Sequence, residues 1–230
     1  MSQPLALRGA IFDMDGTILD SMPCWETVGL RYLLDRRIPV PDVDGLARRL
    51  KTTTLPQAAQ LYRDEFGIMD SIPRICSDIT EMIARDYRET APLKPHAHEM
   101  LRRMQQADVR MCIATATDRT LAEAALDRLG VRGYFSFIYT CQDLNTSKHE
   151  PYIFDCAARG LGTEKADTVV FEDALHSIRT AADAGYRVVG VYDRSAESEQ
   201  EQIRPLCTCY LSDWDELQIQ NGSPPAGASQ

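Results

Sequence analysis

Asp13 and Asp15 stand two residues apart in RGAIFDMDGTILDS, directly after the apolar run Ala10-Ile11-Phe12. In extended backbone, residues i and i+2 point the same way. The two carboxylates are therefore expected to crowd one side, where like charges repel. A second acidic pair, Glu172-Asp173, closes another apolar run, Thr168-Val169-Val170-Phe171. Thr115 ends a third, and Lys148 lies in the polar stretch NTSKHE. Four carboxylates share a dry pocket only if a cation neutralises them. Oxygen ligands from Asp and Glu suit Mg²⁺, which keeps waters and takes phosphate oxygens as further ligands. A lysine and a hydroxyl aimed at one point supply the positive charge and the donor that a phosphoryl group needs. Thr117 is expected to cap the helix after Thr115, whose first amides would add to the anion site.

Taken singly, each of these residues has a plainer role. Asp-Gly marks turns, Thr115 can simply end a strand, and a lysine in a polar loop is usually solvated. Glu172-Asp173 can be acids favoured at a helix N-terminus. What gathers them is the order of elements. Strand-like runs recur at 8–13, 109–115, 135–140, 168–173, 187–193 and, more weakly, 207–212. Most are apolar on consecutive positions, as strands covered on both faces are. Helical patterns lie between them. DRTLAEAALDRLG, EPYIFDCAARGLG and LHSIRTAADAG all end in glycine, the residue that often follows a helix C-terminus. Strand alternating with helix predicts an α/β fold with a doubly wound parallel sheet, whose ligands bind beyond the carboxyl ends of the strands.

One gap breaks the alternation. From Met22 to Glu89 there is no strand candidate, only the helical segments WETVGLRYLLDRR, TLPQAAQLYRDEF and RICSDITEMIARDYRE. Connections inside compact α/β units are short, so this stretch reads as an all-helical cap inserted after the first strand. The expected organisation is a Rossmann-like core of residues 1–21 and 91–216, a cap of 22–90, and a disordered Gly/Pro/Ser-rich tail of 217–230.

Composition narrows the functional class. A net charge of −9 disfavours a nucleic-acid surface. No apolar run reaches the roughly 20 residues that span a bilayer. The N-terminus lacks the basic and apolar regions of a signal peptide, so a cytoplasmic protein without membrane partners is expected. The seven scattered cysteines read as reduced thiols. Cys207 and Cys209 lack the second pair of a zinc site. His96 and His98 do not share a helix face and read as loop and first-turn residues. His149 and His176 flank the motif residues and read as solvated, as does the basic cluster Arg48-Arg49-Lys51.

With DMDGT, an apolar strand ending at Thr115, a lone Lys148 before a helix, and Glu172-Asp173 after an apolar strand, all in that order, the chain resembles the haloacid dehalogenase superfamily of aspartate-nucleophile phosphotransferases. The insertion after the first motif resembles the cap of the β-phosphoglucomutase-like branch. The resemblance spans about Arg8 to Asp213. It implies that Asp13 attacks phosphorus to form an aspartyl-phosphate and that Asp15 is the acid–base group beside it. It further implies that Lys148 and Thr115 bind the phosphoryl group. Mg²⁺ would be held by the Asp13 carboxylate, the Asp15 backbone carbonyl and Asp173, with Glu172 holding metal-bound water. Thr17, Trp25, Ala116, Asp118 and Arg119 are the expected substrate contacts.

The chain also departs from that branch. Trp25 stands where its mutases carry a cap histidine, and Leu55 falls near their cap arginine. Pro95-His96 replaces Pro-Gly, Ala174 replaces a small hydroxyl residue, and His149-Glu150-Pro151 follows the lysine. A mutase must hold a bisphosphate and suppress loss of phosphate to water, so hydrolysis of a small phosphorylated metabolite by a monomer or weak dimer is the expected function. A phosphomutase is the nearest alternative. A receiver-type phosphoacceptor domain is the alternative of another class, although such domains are shorter and lack a cap.

Overall fold

A computed structural model describes residues 4–51 and 53–220 of the chain. They form two compact units, one running to Asp20 and resuming at Pro92, the other Ser21–Ala91.

The first unit is built on a six-stranded sheet in the order β3-β2-β1-β4-β5-β6. Its strands are β1 (Gly9–Phe12), β2 (Arg110–Thr115), β3 (Ile138–Thr140), β4 (Thr168–Glu172), β5 (Arg187–Val191) and β6 (Cys209–Leu211). Every pairing is parallel. The doubly wound α/β class expected from the strand–helix alternation is therefore the class observed. In the crossovers lie α5 (Ala97–Gln106), α6 (Arg119–Arg128), α7 (Tyr152–Leu161) and α8 (Leu175–Asp183), numbered after four helices of the second unit. β3 is shorter than the apolar run 135–140, because a 3₁₀ turn, Arg132–Tyr134, carries the chain into it.

The strands are apolar on both sides because both are covered. Ile11, Cys112, Ala114, Val170 and Val188 meet Ile153, Phe154, Ala157 and Leu161 of α7 and Ile178 and Ala181 of α8. On the opposite side, Phe12 stacks on Phe171 with ring centroids 4.6 Å apart, and Trp214 closes on both rings. Burial of each such ring contributes on the order of 2 kcal/mol. The core thus fixes Phe12 and Phe171, the residues just before Asp13 and Glu172.

Residues 217–220 do not belong to a disordered tail. The Leu5 amide donates to the Gln218 carbonyl at 2.7 Å, and the Gln220 amide donates back to Leu5 at 3.0 Å. The rest of the expected tail, 221–230, lies outside the described residues.

The second unit is all helical: α1 (Met22–Asp35), α2 (Val43–Leu50), α3 (Leu55–Phe66) and α4 (Ile72–Glu89). Helix starts are set locally. Proline near the first turn opens α1, α3 and α4, where its missing N–H costs nothing. Thr54 and Gln57 form a capping box, and Gly67 ends α3 in the left-handed conformation. Tyr32 and Tyr62 stack at 5.6 Å in its core, and Arg31 grips both oxygens of Asp86. α2 was not evident in the sequence. It is short, and only Leu46 of its residues is buried.

Candidate active site

Parallel strands end on one edge of a sheet, and the tips of β1, β2 and β4 bring the polar residues together. Asp13 follows β1, its amide donating to the Phe171 carbonyl at 2.9 Å. Thr115 is the last residue of β2, and Glu172 the last of β4. Lys148 comes from the turn between β3 and α7. Asp13, Thr115, Lys148, Glu172 and Asp173 are all buried, none more than 7 % exposed.

Lys148 organises the cluster. Its ammonium donates to Asp13 Oδ1 and, at 2.7 Å, to Glu172 Oε1. Glu172 Oε2 accepts from the amides of Asp173 and Ala174 at 2.8 and 2.9 Å. Asp173 Oδ1 accepts from the Thr17 hydroxyl at 3.0 Å. Burial works against the Lys148 charge, but Asp13 and Glu172 outweigh it and hold the ammonium protonated. Burial likewise pushes Asp13 up, to about 7, against the pull of Lys148 and with the help of Glu172 and Asp15. Asp173 is raised well above the usual carboxyl range by burial, then by Glu172, Asp13 and Asp193. Glu172 is also buried, yet Lys148 and the surrounding donors hold its carboxyl low.

Carboxylate oxygens of Asp13, Glu172 and Asp173 lie within 4.8 Å of one another. One ammonium cannot offset three buried carboxylates, and the raised Asp13 and Asp173 register that imbalance. An all-oxygen, anionic donor set of this kind fits Mg²⁺. Lys148 engages Oδ1 of Asp13, and Thr17 engages Oδ1 of Asp173. Glu172 has donors on both oxygens, which suits a supporting role better than direct ligation.

Asp15 lies close enough to Asp13 to help raise its carboxyl. The chain turns at Gly16, whose φ is 77°, and Asp15 Oδ2 accepts from the Thr117 hydroxyl at 2.5 Å. Gly16 is required by closeness as well as by φ, since a β-carbon there would lie 2.4 Å from Asp173 Oδ2.

Several expected substrate contacts have other partners. Thr17 is fully buried, its hydroxyl on Asp173 and its carbonyl accepting from the Trp214 indole at 3.1 Å. Its hydroxyl supports the acidic cluster. Asp118, not Thr117, caps α6, accepting from the Thr120 amide at 2.8 Å. Arg119 is tied to Asp143 at 2.6 Å and to the Ile138 carbonyl at 2.8 Å, which fixes α6 to the segment around β3. Ala116 is exposed just beyond β2. Trp25 lies in the helical unit, 45 % exposed, with its indole donating to Tyr87 at 3.1 Å.

Two features were missed. Asp193, just beyond β5, is 3 % exposed and paired at 2.6 Å with Lys94. The same strand-end logic applied to RVVGVYD would have found it. Thr117, expected only as a cap, is a second hydroxyl two residues after Thr115, and it engages Asp15.

Comparison with known proteins places the chain among relatives of one family. A model of the haloacid dehalogenase-like hydrolases matches residues 10–191. Hexitol phosphatase B of Escherichia coli (strain K12) is 27 % identical over 224 residues, covering 94 % of this chain and 97 % of its own. Fructose-1-phosphate phosphatase YqaB of the same organism is 28 % identical over 193 residues, covering 80 % and 95 %. In fold, the chain is similar to a β-phosphoglucomutase crystal structure from Clostridium difficile, with a TM-score of 0.64 at 18 % identity over 92 % of this chain and 93 % of that one. No helix among the described residues is long and apolar enough to cross a membrane.

Proposed function

The chain belongs to the haloacid dehalogenase-like hydrolases, and on that footing we propose that it is a Mg²⁺-dependent phosphatase hydrolysing a small phosphomonoester, such as a sugar phosphate, through an aspartyl-phosphate on Asp13. The observation that carries this reading is the buried Asp13–Lys148–Glu172 cluster with Asp173 beside it.

Lys148 on Oδ1 fixes the Asp13 carboxylate and leaves Oδ2 to attack phosphorus. The P–O bond to the alcohol breaks as the Asp13 O–P bond forms, and the departing oxygen takes a proton from Asp15. In the second step water attacks the same phosphorus, Asp15 accepts the water's proton, and the Asp13 O–P bond breaks to release phosphate. The balance is ester plus water giving alcohol plus phosphate. The Lys148 ammonium and the Thr115 hydroxyl would bind phosphoryl oxygens throughout. Asp13, Asp173 and the Asp15 carbonyl would hold Mg²⁺, which when bound supplies the positive charge that lets an anionic nucleophile meet an anionic phosphate.

The phosphatase names of the relatives support hydrolysis rather than transfer to a second substrate. The test is phosphate release from a panel of sugar phosphates and p-nitrophenyl phosphate, by the wild-type protein and Asp13→Asn, with and without EDTA. Turnover is expected only in the wild type with Mg²⁺. An Asp13→Asn protein with near wild-type turnover would overturn the nucleophile, and full activity in EDTA would remove the metal.

A further inference from the structure

The geometry points to Thr117 as the positioning residue of Asp15: its hydroxyl engages Oδ2 and so fixes the orientation of the carboxyl that carries the proton to the leaving group. The inference rests on the proposed acid–base role of Asp15 and extends it to a residue beyond the four motifs.

Thr117 is held from two directions. Its amide donates to the hydroxyl oxygen of Thr115 at 3.0 Å, and its own hydroxyl donates to Asp15 Oδ2 at 2.5 Å. The second distance is that of a short O–H···O hydrogen bond. Thr115 is 1 % exposed and ends a central strand, so the anchor of this chain of contacts is rigid. The Asp15 backbone is fixed separately. Asp15 bridges to Leu19, and the Gly16 amide donates to the Leu19 carbonyl at 2.9 Å. With the backbone set by the turn and one carboxylate oxygen set by Thr117, the carboxyl plane has little freedom left. Proton transfer needs that restriction, because a group off by a fraction of an ångström or some 10–20° loses much of its advantage. Thr115 gains as well, since accepting from the Thr117 amide leaves its own O–H to point at a phosphoryl oxygen.

A residue that acts through the acid matters in proportion to how badly the leaving oxygen needs a proton. As the P–O bond breaks, the electron pair goes to that oxygen. A 4-nitrophenoxide tolerates the charge, whereas a more basic phenoxide requires the proton from Asp15. The test is kcat/KM for 4-nitrophenyl, phenyl and 4-methoxyphenyl phosphate, a series of one shape and rising leaving-group basicity, with wild-type, Thr117→Val and Thr117→Ser proteins. This ratio reports the step that forms the aspartyl-phosphate, whichever step limits kcat. Thr117→Val is expected to change the 4-nitrophenyl ester by less than about twofold and to lower the 4-methoxyphenyl ester by roughly tenfold or more. Thr117→Ser, which keeps the hydroxyl, restores the wild-type slope. An equal loss across the series, or a wild-type slope in Thr117→Val, would overturn the assignment. A wild-type protein that releases phosphate from no ester would overturn the phosphatase reading itself.

Discussion

Replacing Gly16 with alanine adds one methyl group at the most crowded point of the site. Gly16 has a φ of 77°, and an L-residue with a side chain pays about 1–2 kcal/mol for left-handed backbone. The new β-carbon would lie 2.4 Å from Asp173 Oδ2 and 2.8 Å from its Cγ, while real β-carbons essentially never come closer than 3.0 Å. The carboxylate must therefore retreat by at least 0.6 Å, the difference between 3.0 and 2.4 Å. Oδ1 is held by the Thr17 hydroxyl at 3.0 Å, so the retreat stretches that bond too. Backbone strain and one weakened hydrogen bond together predict a loss of about 2 kcal/mol in unfolding free energy. The functional loss should be larger. Displacing a proposed Mg²⁺-binding carboxylate by this much predicts on the order of tenfold or more in the Mg²⁺ midpoint and roughly a hundredfold in turnover. Urea unfolding followed by circular dichroism measures the first quantity, and phosphate release across a Mg²⁺ titration measures the others. A Gly16→Ala protein that loses stability but keeps the wild-type rate and Mg²⁺ midpoint would refute the reasoning, because the Asp173 position would then not matter.

Lys148→Met leaves Asp13 and Glu172 facing each other, both buried, without their shared ammonium. Phosphate release should fall by on the order of a thousandfold, and a rate within tenfold of wild type would contradict the central place given to Lys148. His96 offers a pH test away from the site. Its bond to Asp213 at 2.6 Å raises the imidazole above 6.5. A raised folded value adds stability that is complete below the unfolded value and is lost as pH rises through the folded one. Followed by NMR, the His96 titration should return toward 6.5 in Asp213→Asn, and an unchanged titration would show that the pair does not hold in solution.

How far the sequence could be read follows from where each signal resides. The strands were legible because a two-sided sheet makes apolar runs such as Val169-Val170-Phe171 that nothing else in the chain imitates. The carboxylates, Thr115 and Lys148 were legible as a group because parallel strands share one edge. Where a particular side chain points was not legible. Thr17 and Arg119 are both polar and adjacent to motif residues, yet one serves Asp173 and the other Asp143. Their partners lie 156 and 24 residues away along the chain, a distance over which periodicity and spacing carry no information. Cap chemistry was equally ambiguous in TATD, where Thr117 and Asp118 both suit an N-cap. The choice fell to Asp118 because the Thr117 hydroxyl is engaged by Asp15. α2 escaped because it is only eight residues long and carries Gly45 in its first turn, although Val43, Leu46, Ala47 and Leu50 do recur at helical spacing.

The electrostatics of the strand edge explain why so much of the sheet is invested in holding it. Asp13, Asp15, Glu172, Asp173 and Asp193 gather there against Lys148 and Lys94. Asp13, raised to about 7 from 3.8, binds a proton in the folded chain that the unfolded chain has already released. Between those values stability falls as pH rises, because the folded state carries the extra proton. The proposed Mg²⁺ would reverse the sign, favouring the ionised, folded site by mass action. The edge is therefore costly as the chain alone, and the proposed cation would offset that cost. Only a scaffold stiff enough to keep the carboxylates from drifting apart can sustain it. The stacked Phe12 and Phe171, one residue before Asp13 and Glu172, provide that stiffness on one side of the sheet, and the packing of α7 and α8 provides it on the other.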